Sequence, residues 1–288
     1  RVQAGQDWDA LVAFCVEQGW SGIEALAGIP GLAGAAPVQN IGAYGAELED
    51  VLHSIEFLDS MTGEVLRLPA SELKFGYRTS SIKQGREGVV LSIDLLLHAG
   101  NGGLSAPIGY GQLAAALGVS TGDRVPLREL REAVLALRAS KGMVLSAEDH
   151  DSWSSGSFFT NPIVSEHFAR NLPDEAPRFL IEDDEPEAVT ISIEDLERGV
   201  IPPMPVPAQP RLVKLSAAWL IEHAGVNKGV RLPGSGAAIS SKHTLAITSR
   251  GAASADDVAQ LARLVIQRVQ QEFGVLLAPE PNLYGLEL

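Results

Sequence analysis

The stretch from Gly28 to Gly45 places the tightest constraint on this chain. It holds five glycines and two prolines and no charged residue. Few of its side chains are large enough to build a core. Glycine allows positive φ and close approach to the backbone, and proline fixes φ where it stands. A segment of this kind suits a loop that exposes main-chain N–H groups to a large ligand, as an anion-binding nest does. A buried Gly/Ala loop that only packs two elements closely has the same composition, because Gly-rich loops alone are weak signals.

At 288 residues the chain is long for a single core, so two domains are expected. Its net charge of −14 gives no dominant basic surface, which argues against nucleic acid or an anionic membrane as partner. A small anionic substrate needs only a local pocket and stays open. The single cysteine, Cys15, excludes an internal disulfide and fits a reducing compartment. No apolar run approaches the roughly 20 residues of a membrane span, and the reading expects neither a membrane partner nor a leader peptide.

Along the chain, residues 7–18 read as a helix capped by Asp7, with an apolar stripe from Trp8 to Val16 and a stop at Gly19. Residues 51–58 and 64–68 read as strands joined at Asp59–Gly63. Alternation from Val89 to Leu97 predicts a strand over 88–98 with one buried face. Pro126 opens a second helix ending at Lys141–Gly142. Residues 171–211 are rich in acids and prolines and read as irregular, exposed chain. A helix is predicted over 214–224, short strands over 237–249, and a long helix over 255–273 with Ser254 and Asp257 as a capping box. Hairpin-like strands with segregated helices favour an α+β fold.

Three further places can carry chemistry. Arg78, in Tyr77–Ser80, could clamp a carboxylate bidentately, though an ordinary structural arginine would look the same. Ser157, between Gly156 and two phenylalanines, could be a proton donor in a dry pocket, or part of a turn before a core strand. Glu280 follows an apolar run and could equally be a surface carboxylate. The six histidines show no zinc-ligand spacing, Ser157 lacks a Gly-x-Ser-x-Gly elbow, and neither a phosphate loop nor a Rossmann glycine motif is present.

In this order, Gly28–Gly31, Val38–Gly45, Phe75–Ser80, Gly156–Pro162, Lys214–Ile221, Lys242–Leu245 and Glu280 resemble the UDP-N-acetylenolpyruvoylglucosamine reductases, over nearly the whole chain. The resemblance implies a vanillyl-alcohol-oxidase-like FAD-binding domain over 1–141, an α+β substrate-binding domain over 142–275, and a tail over 276–288 carrying Glu280. It implies FAD and NADPH as cofactors and UDP-N-acetylglucosamine enolpyruvate as substrate. The activity would be a cytoplasmic, monomeric oxidoreductase step of peptidoglycan precursor synthesis. Ser157 would be the proton donor, Arg78 would hold the substrate carboxylate, and Glu280 would complete the site for the developing charge. Gly28, Ile29, Pro30, Gly31, Gly34, Gln39, Asn40, Gly42, Ala43, Tyr44 and Gly45 would line the flavin. Asn161 and Lys214 would bind substrate. Tyr110 matches the loop tyrosine of one subclass and would close over the nucleotide, with Lys141 as a phosphate-binding lysine.

There are departures. His223 stands where glutamine is common, Ser249 where asparagine is usual, and the acidic insert near 182–198 has no family role. Only 27 residues precede Gly28, where the family carries a whole further FAD-binding subdomain. The reading therefore expects an FAD domain incomplete at its start, weak flavin binding by this chain alone, and possible dependence on a separate N-terminal segment. The alternative is a truncated, inactive UDP-sugar-binding remnant. An FAD-dependent oxidase of the wider fold family is a third option, opposed by Arg78, Ser157 and Glu280 together.

Overall fold

The computed structural model describes residues 1–181, 198 and 211–288. The acidic insert near 182–198 and the proline-rich run after it lie outside the described residues, Arg198 apart.

The first half is built on a four-stranded antiparallel sheet. β1 (Val2–Gln3) leads into α1 (Trp8–Glu17), and a short hairpin, β2 (Gly42–Ala43) with β3 (Ala46–Glu47), follows the glycine-rich stretch. β4 (Leu52–Asp59), β5 (Val65–Pro69) and β6 (Gly88–Leu95) complete the sheet in the order β1-β6-β4-β5. α2 (Gly111–Leu117) and α3 (Leu127–Ser140) pack together after it. α1 starts where the Asp7 side chain accepts from the Ala10 N–H at 2.8 Å, and it buries Trp8, Leu11, Val12 and Cys15. These join Ile55, Phe57, Ile93 and Val134 in one core.

β6 departs from the expected alternation. Ile93 is buried, but Val89 is 54% exposed and Ser92 is buried on the opposite face. The reason is a slip in register against β4, from Glu56↔Ser92 to Phe57↔Val90, a bulge that turns Val89 off the face of Ile93. Ser92 itself is covered by a polar contact, its Oγ donating to Glu56 Oε2 at 2.7 Å, with Arg1 bridging Glu56 and Asp94.

The second half holds β7 (Ile163–Ser165), the one-turn α4 (Glu166–Ala169), β8 (Arg178–Leu180), β9 (Leu212–Leu215) and α5 (Ala217–His223). A hydrogen-bonded strand pair, β10 (Ala237–Ile239) and β11 (Ile247–Ser249), and α6 (Ala255–Phe273) follow. β9 is the centre of a three-stranded antiparallel sheet, β7-β9-β8. This corrects the helix predicted over 214–224: it starts at Ala217, where Ser216 caps it, and Lys214 lies on a strand. Leu212–Leu215 is extended because β7 and β8 pair with it from both sides, partners a local pattern does not reveal. α6 keeps its predicted bounds, with the reciprocal Ser254/Asp257 capping box and Gly274 in the left-handed region. A second core gathers Phe158, Phe159, Leu215, Ile239, Leu261 and Val265. Among the described residues no helix is long and apolar enough to cross a membrane.

Candidate active site

The glycine-rich stretch folds partly as 3₁₀ turns over Ala33–Val38. Its amides are not free. Ala33 N–H and Gly34 N–H donate to Gln6 O at 2.8 Å and Ala4 O at 2.9 Å, and Ala35 N–H donates to Leu32 O. The expected open nest is therefore corrected at these positions: the glycines serve close packing. A Cβ on Gly34 would lie 2.5 Å from the Ala4 Cβ. What the stretch offers outward is an apolar wall.

That wall forms one side of a cleft of about 500 Å³. Trp8, Ile29, Pro30, Leu32, Ala36 and Arg138 line it from the first half, and Met143 and the Ser154–Ser157 loop from the chain that follows. Gln39, Gly42, Arg78 and Glu280 line it as well. The three proposed chemical groups, far apart in sequence, thus share one cavity.

Arg78 sits in a tight turn, with Gly76 and Thr79 bridged and Arg78 itself at φ 54°. A non-glycine residue in that region is uncommon, and here the guanidinium is held by the protein. Nη2 donates to Gly42 O at 2.6 Å and Nη1 to Asn40 O at 3.4 Å. Glu47 Oε1 lies 3.7 Å from Nη1, and Glu280 Oε1 3.5 Å from Nε.

Glu280 reaches this point because the tail pairs with the Ser157 segment. Glu280 N–H donates to Phe158 O at 2.8 Å, and Thr160 N–H donates to Ala278 O at 3.1 Å. Burial pushes the Glu280 carboxyl above its ordinary range, against the pull of Arg78 and Lys83. Glu47 is likewise raised by burial, opposed by Arg78.

Ser157 follows Gly156 at φ 84°. The next two residues, Phe158 and Phe159, are buried with their rings edge-to-face at 5.1 Å. Phe158 N–H donates to Leu245 O at 2.7 Å. A core aromatic pair on one side and a flexible glycine on the other thus deliver the serine to the cleft.

The remaining site residues predicted from the sequence are spread around the cleft. Ile29, Pro30, Gln39 and Gly42 line the cleft. Gly28, Gly31, Gly34 and Asn40 lie behind it: Gly28 N–H donates to Asp9 Oδ1 at 2.7 Å, Gly31 O accepts from Trp8 N–H, and Asn40 Nδ2 donates to Glu47 Oε2. Ala43 ends β2, and Tyr44 and Gly45 form the β2–β3 turn beside the cleft, where Tyr44 meets Tyr110 edge-to-face at 5.7 Å. Lys141 stands over the Tyr44 ring at 5.8 Å and donates to Gln112 Oε1. Burial and the neighbouring Arg138 lower its pKa. Lys214 stands over the Tyr77 ring at 5.0 Å, one residue from Arg78. Asn161 Oδ1 accepts the first amide of α5, Ala217 N–H, at 2.9 Å.

Sequence reasoning missed Trp8, Arg138 and Lys83. The first two looked like plain helix positions. Arg138 Nη2 donates to Met143 O, while its buried Nε has no partner among the described residues. An apolar wall, the Arg138 side chain and the Gly42 backbone make this cleft fit a flat, polar-edged cofactor such as FAD.

Residues 148–284 match the family model described as UDP-N-acetylenolpyruvoylglucosamine reductase, C-terminal domain, and residues 1–69 match an FAD binding domain. The UDP-N-acetylenolpyruvoylglucosamine reductase of Leifsonia xyli is 61% identical over 295 residues, covering 100% of this chain and 78% of its own. That of Corynebacterium diphtheriae is 47% identical, with 100% of this chain and 69% of its own covered. The crystal structure of UDP-N-acetylenolpyruvylglucosamine reductase from Thermus caldophilus superposes with a TM-score of 0.55 at 26% identity, covering 96% of this chain and 69% of that one.

Proposed function

The chain belongs to the UDP-N-acetylenolpyruvoylglucosamine reductase family, and on that premise we propose how its own residues carry the reaction. The enzyme is an FAD-dependent oxidoreductase that uses NADPH to reduce UDP-N-acetylglucosamine enolpyruvate to UDP-N-acetylmuramate in peptidoglycan precursor synthesis. FAD, when bound, supplies the hydride relay from NADPH to the methylene carbon of the enolpyruvyl group.

Hydride addition leaves negative charge on the neighbouring carbon and its carboxylate. Arg78 holds that carboxylate and stabilises the charge. Ser157 Oγ gives its proton to the carbon, completing the lactyl ether. Glu280, whose carboxyl burial pushes above its ordinary range, completes the site for the developing charge when it carries a proton, which avoids a second bare carboxylate there. Ile29, Pro30, Gln39 and Gly42 wall the flavin, and the glycines and Asn40 behind them set the loop's path. Tyr110 and Lys141, beside Tyr44, close over the nucleotide. Asn161 and Lys214 hold the sugar-diphosphate side.

The observation that carries this reading is the shared cleft: Arg78, Ser157 and Glu280 line it together with Gln39 and Gly42. The division into a FAD-binding part (1–141), a substrate-binding part (142–275) and a Glu280-bearing tail accords with the two separate cores. We take the enzyme to act as a monomer in the cytoplasm, where nucleotide-sugars and NADPH are found. The inactive-remnant alternative is not favoured, since a 61% identical reductase aligns with the whole chain.

Ser157→Ala provides the test. With NADPH alone, flavin bleaching should proceed at the wild-type rate. Product formation should fall by about 10²- to 10⁴-fold, the usual worth of a placed general acid. Product formation at the wild-type rate would overturn the assignment.

A further inference from the structure

Lys83 has no role in the reaction as described, yet the structure spends its ammonium group on the site. Buried Ser80 aims it. Ser80 Oγ donates to Val38 O at 2.6 Å and accepts from Ile82 N–H and Lys83 N–H at 3.2 and 3.3 Å, fixing a local turn. From that turn Lys83 Nζ donates to Gln39 Oε1 at 3.1 Å and to the Glu280 carbonyl at 2.9 Å. Gln39 Nε2 then donates to Glu280 Oε1 at 3.3 Å. The amide orientation makes Gln39 a relay, accepting from the lysine and donating to the carboxyl.

Glu280 is therefore gripped twice from the first half of the chain. Lys83 takes its backbone, and Gln39 with Arg78 takes its carboxyl. Its own segment contributes only the 2.8 Å bond to Phe158 O and the neighbouring pairing. A carboxyl carried on a C-terminal tail needs such anchoring, because a displacement of about 1 Å from the reacting geometry can cost about 10²-fold in rate.

We propose that Lys83 is a positioning residue for the reductase reaction, pinning Glu280 against Arg78 directly at the backbone and through Gln39 at the carboxyl. This rests on the role given to Glu280 above. The charged groups that face Glu280 are Arg78 and Lys83, with Glu47 beyond Arg78. Burial pushes Glu280 up, and both cations pull it down. Burial pushes Lys83 down, and Glu280 raises it again. Removing the lysine leaves Glu280 easier to protonate, so a pH limb set by Glu280 moves to higher pH.

The test uses the flavin-loaded enzyme and its Lys83→Met, Lys83→Arg, Gln39→Leu and Glu280→Gln variants. Flavin content and melting temperature establish that each is folded. Lys83→Met should lower turnover with the enolpyruvyl substrate about 10- to 100-fold, leave flavin reduction by NADPH alone near wild type, and shift the pH limb upward. Lys83→Arg should recover most of the turnover. Gln39→Leu should lose part of the turnover. On a Glu280→Gln background, Lys83→Met should add little, because both changes act through one group. Undiminished turnover in Lys83→Met would overturn the proposal. So would a turnover loss with an unmoved limb and full additivity on Glu280→Gln, which marks Lys83 as packing only. Wild-type turnover in Glu280→Gln itself would instead overturn the role given to Glu280.

Discussion

Asp151 anchors the loop that carries Ser157, and its replacement by asparagine tests that directly. The carboxylate is buried. It accepts from Ser241 N–H at 2.8 Å, from Ser241 Oγ at 2.5 Å and from Arg250 Nη2 at 2.7 Å. Burial alone would raise its pKa. The Ser241 donors, Ser240 and the Arg250 guanidinium outweigh burial and hold it at about 2. Against an ordinary value of 3.8, and allowing for screening of the part-exposed Arg250, that depression is worth about 2 kcal/mol at neutral pH. Asp151→Asn keeps the volume but removes the charge and leaves Arg250 without its acid. Urea unfolding at pH 7 should therefore show the variant about 2 kcal/mol less stable.

The pH dependence has a fixed sign. The folded-state pKa of Asp151 lies below the unfolded one, so its contribution is complete above about pH 4 and is lost as pH falls toward 2. The gap between wild type and variant should hold from pH 8 to about 5 and close below about 4. In a double-mutant cycle with Arg250→Met, the pair should cost less than the sum of the single changes. A variant within about 0.5 kcal/mol of wild type at pH 7, or a gap that persists unchanged to pH 2, would refute the reasoning. Ser249 N–H also donates to Trp153 O at 2.9 Å and Ser154 bridges Thr248, so a loosened anchor should slow product formation as well.

Two further outcomes are expected. Gly34→Ala puts a Cβ 2.5 Å from the Ala4 Cβ and 3.0 Å from its Cα, so thermal melts should show a loss of about 1–3 kcal/mol. Gly109→Ala, with open space and no positive φ, should melt like wild type; equal melting of both variants would mean that the Ala4 segment yields freely. Burial, and then Lys141 and Lys228, push the His243 pKa down to about 4 against the pull of Glu222. The ring should stay neutral at pH 7, and its stability contribution should be present above its unfolded pKa of about 6.5 and fade as pH falls toward 4. An imidazole NMR titration with its midpoint above 6 would contradict this.

Local chemistry made much of the fold legible. Asp7 and the Ser254/Asp257 pair announce helix starts, because capping needs only neighbours along the chain. Gly274 announces a stop for the same reason. The turn at Asp59–Gly63 and the strands beside it were equally local. β9 was not: Leu212–Leu215 is extended only because β7 and β8 flank it. The open nest expected in the glycine-rich stretch failed for a related reason. Its amides at Ala33 and Gly34 are taken by Gln6 and Ala4, partners from an earlier segment.

The site divides along the same line. Arg78, Ser157 and Glu280 each admit a plain structural reading on their own, so the sequence by itself determined which groups were available, and only the resemblance of the segments around them to a known family pointed to a reaction class. Lys83, close behind the Arg78 motif, carries no signal in the sequence that sets it apart. Only the tertiary structure decided that its ammonium group reaches Gln39 and Glu280, and that Arg138 lines the cleft. The physical reason is range. Caps, turns and periodic faces are set within a few residues, whereas the protonation of Glu280 depends on burial and on two cations supplied by the opposite end of the chain.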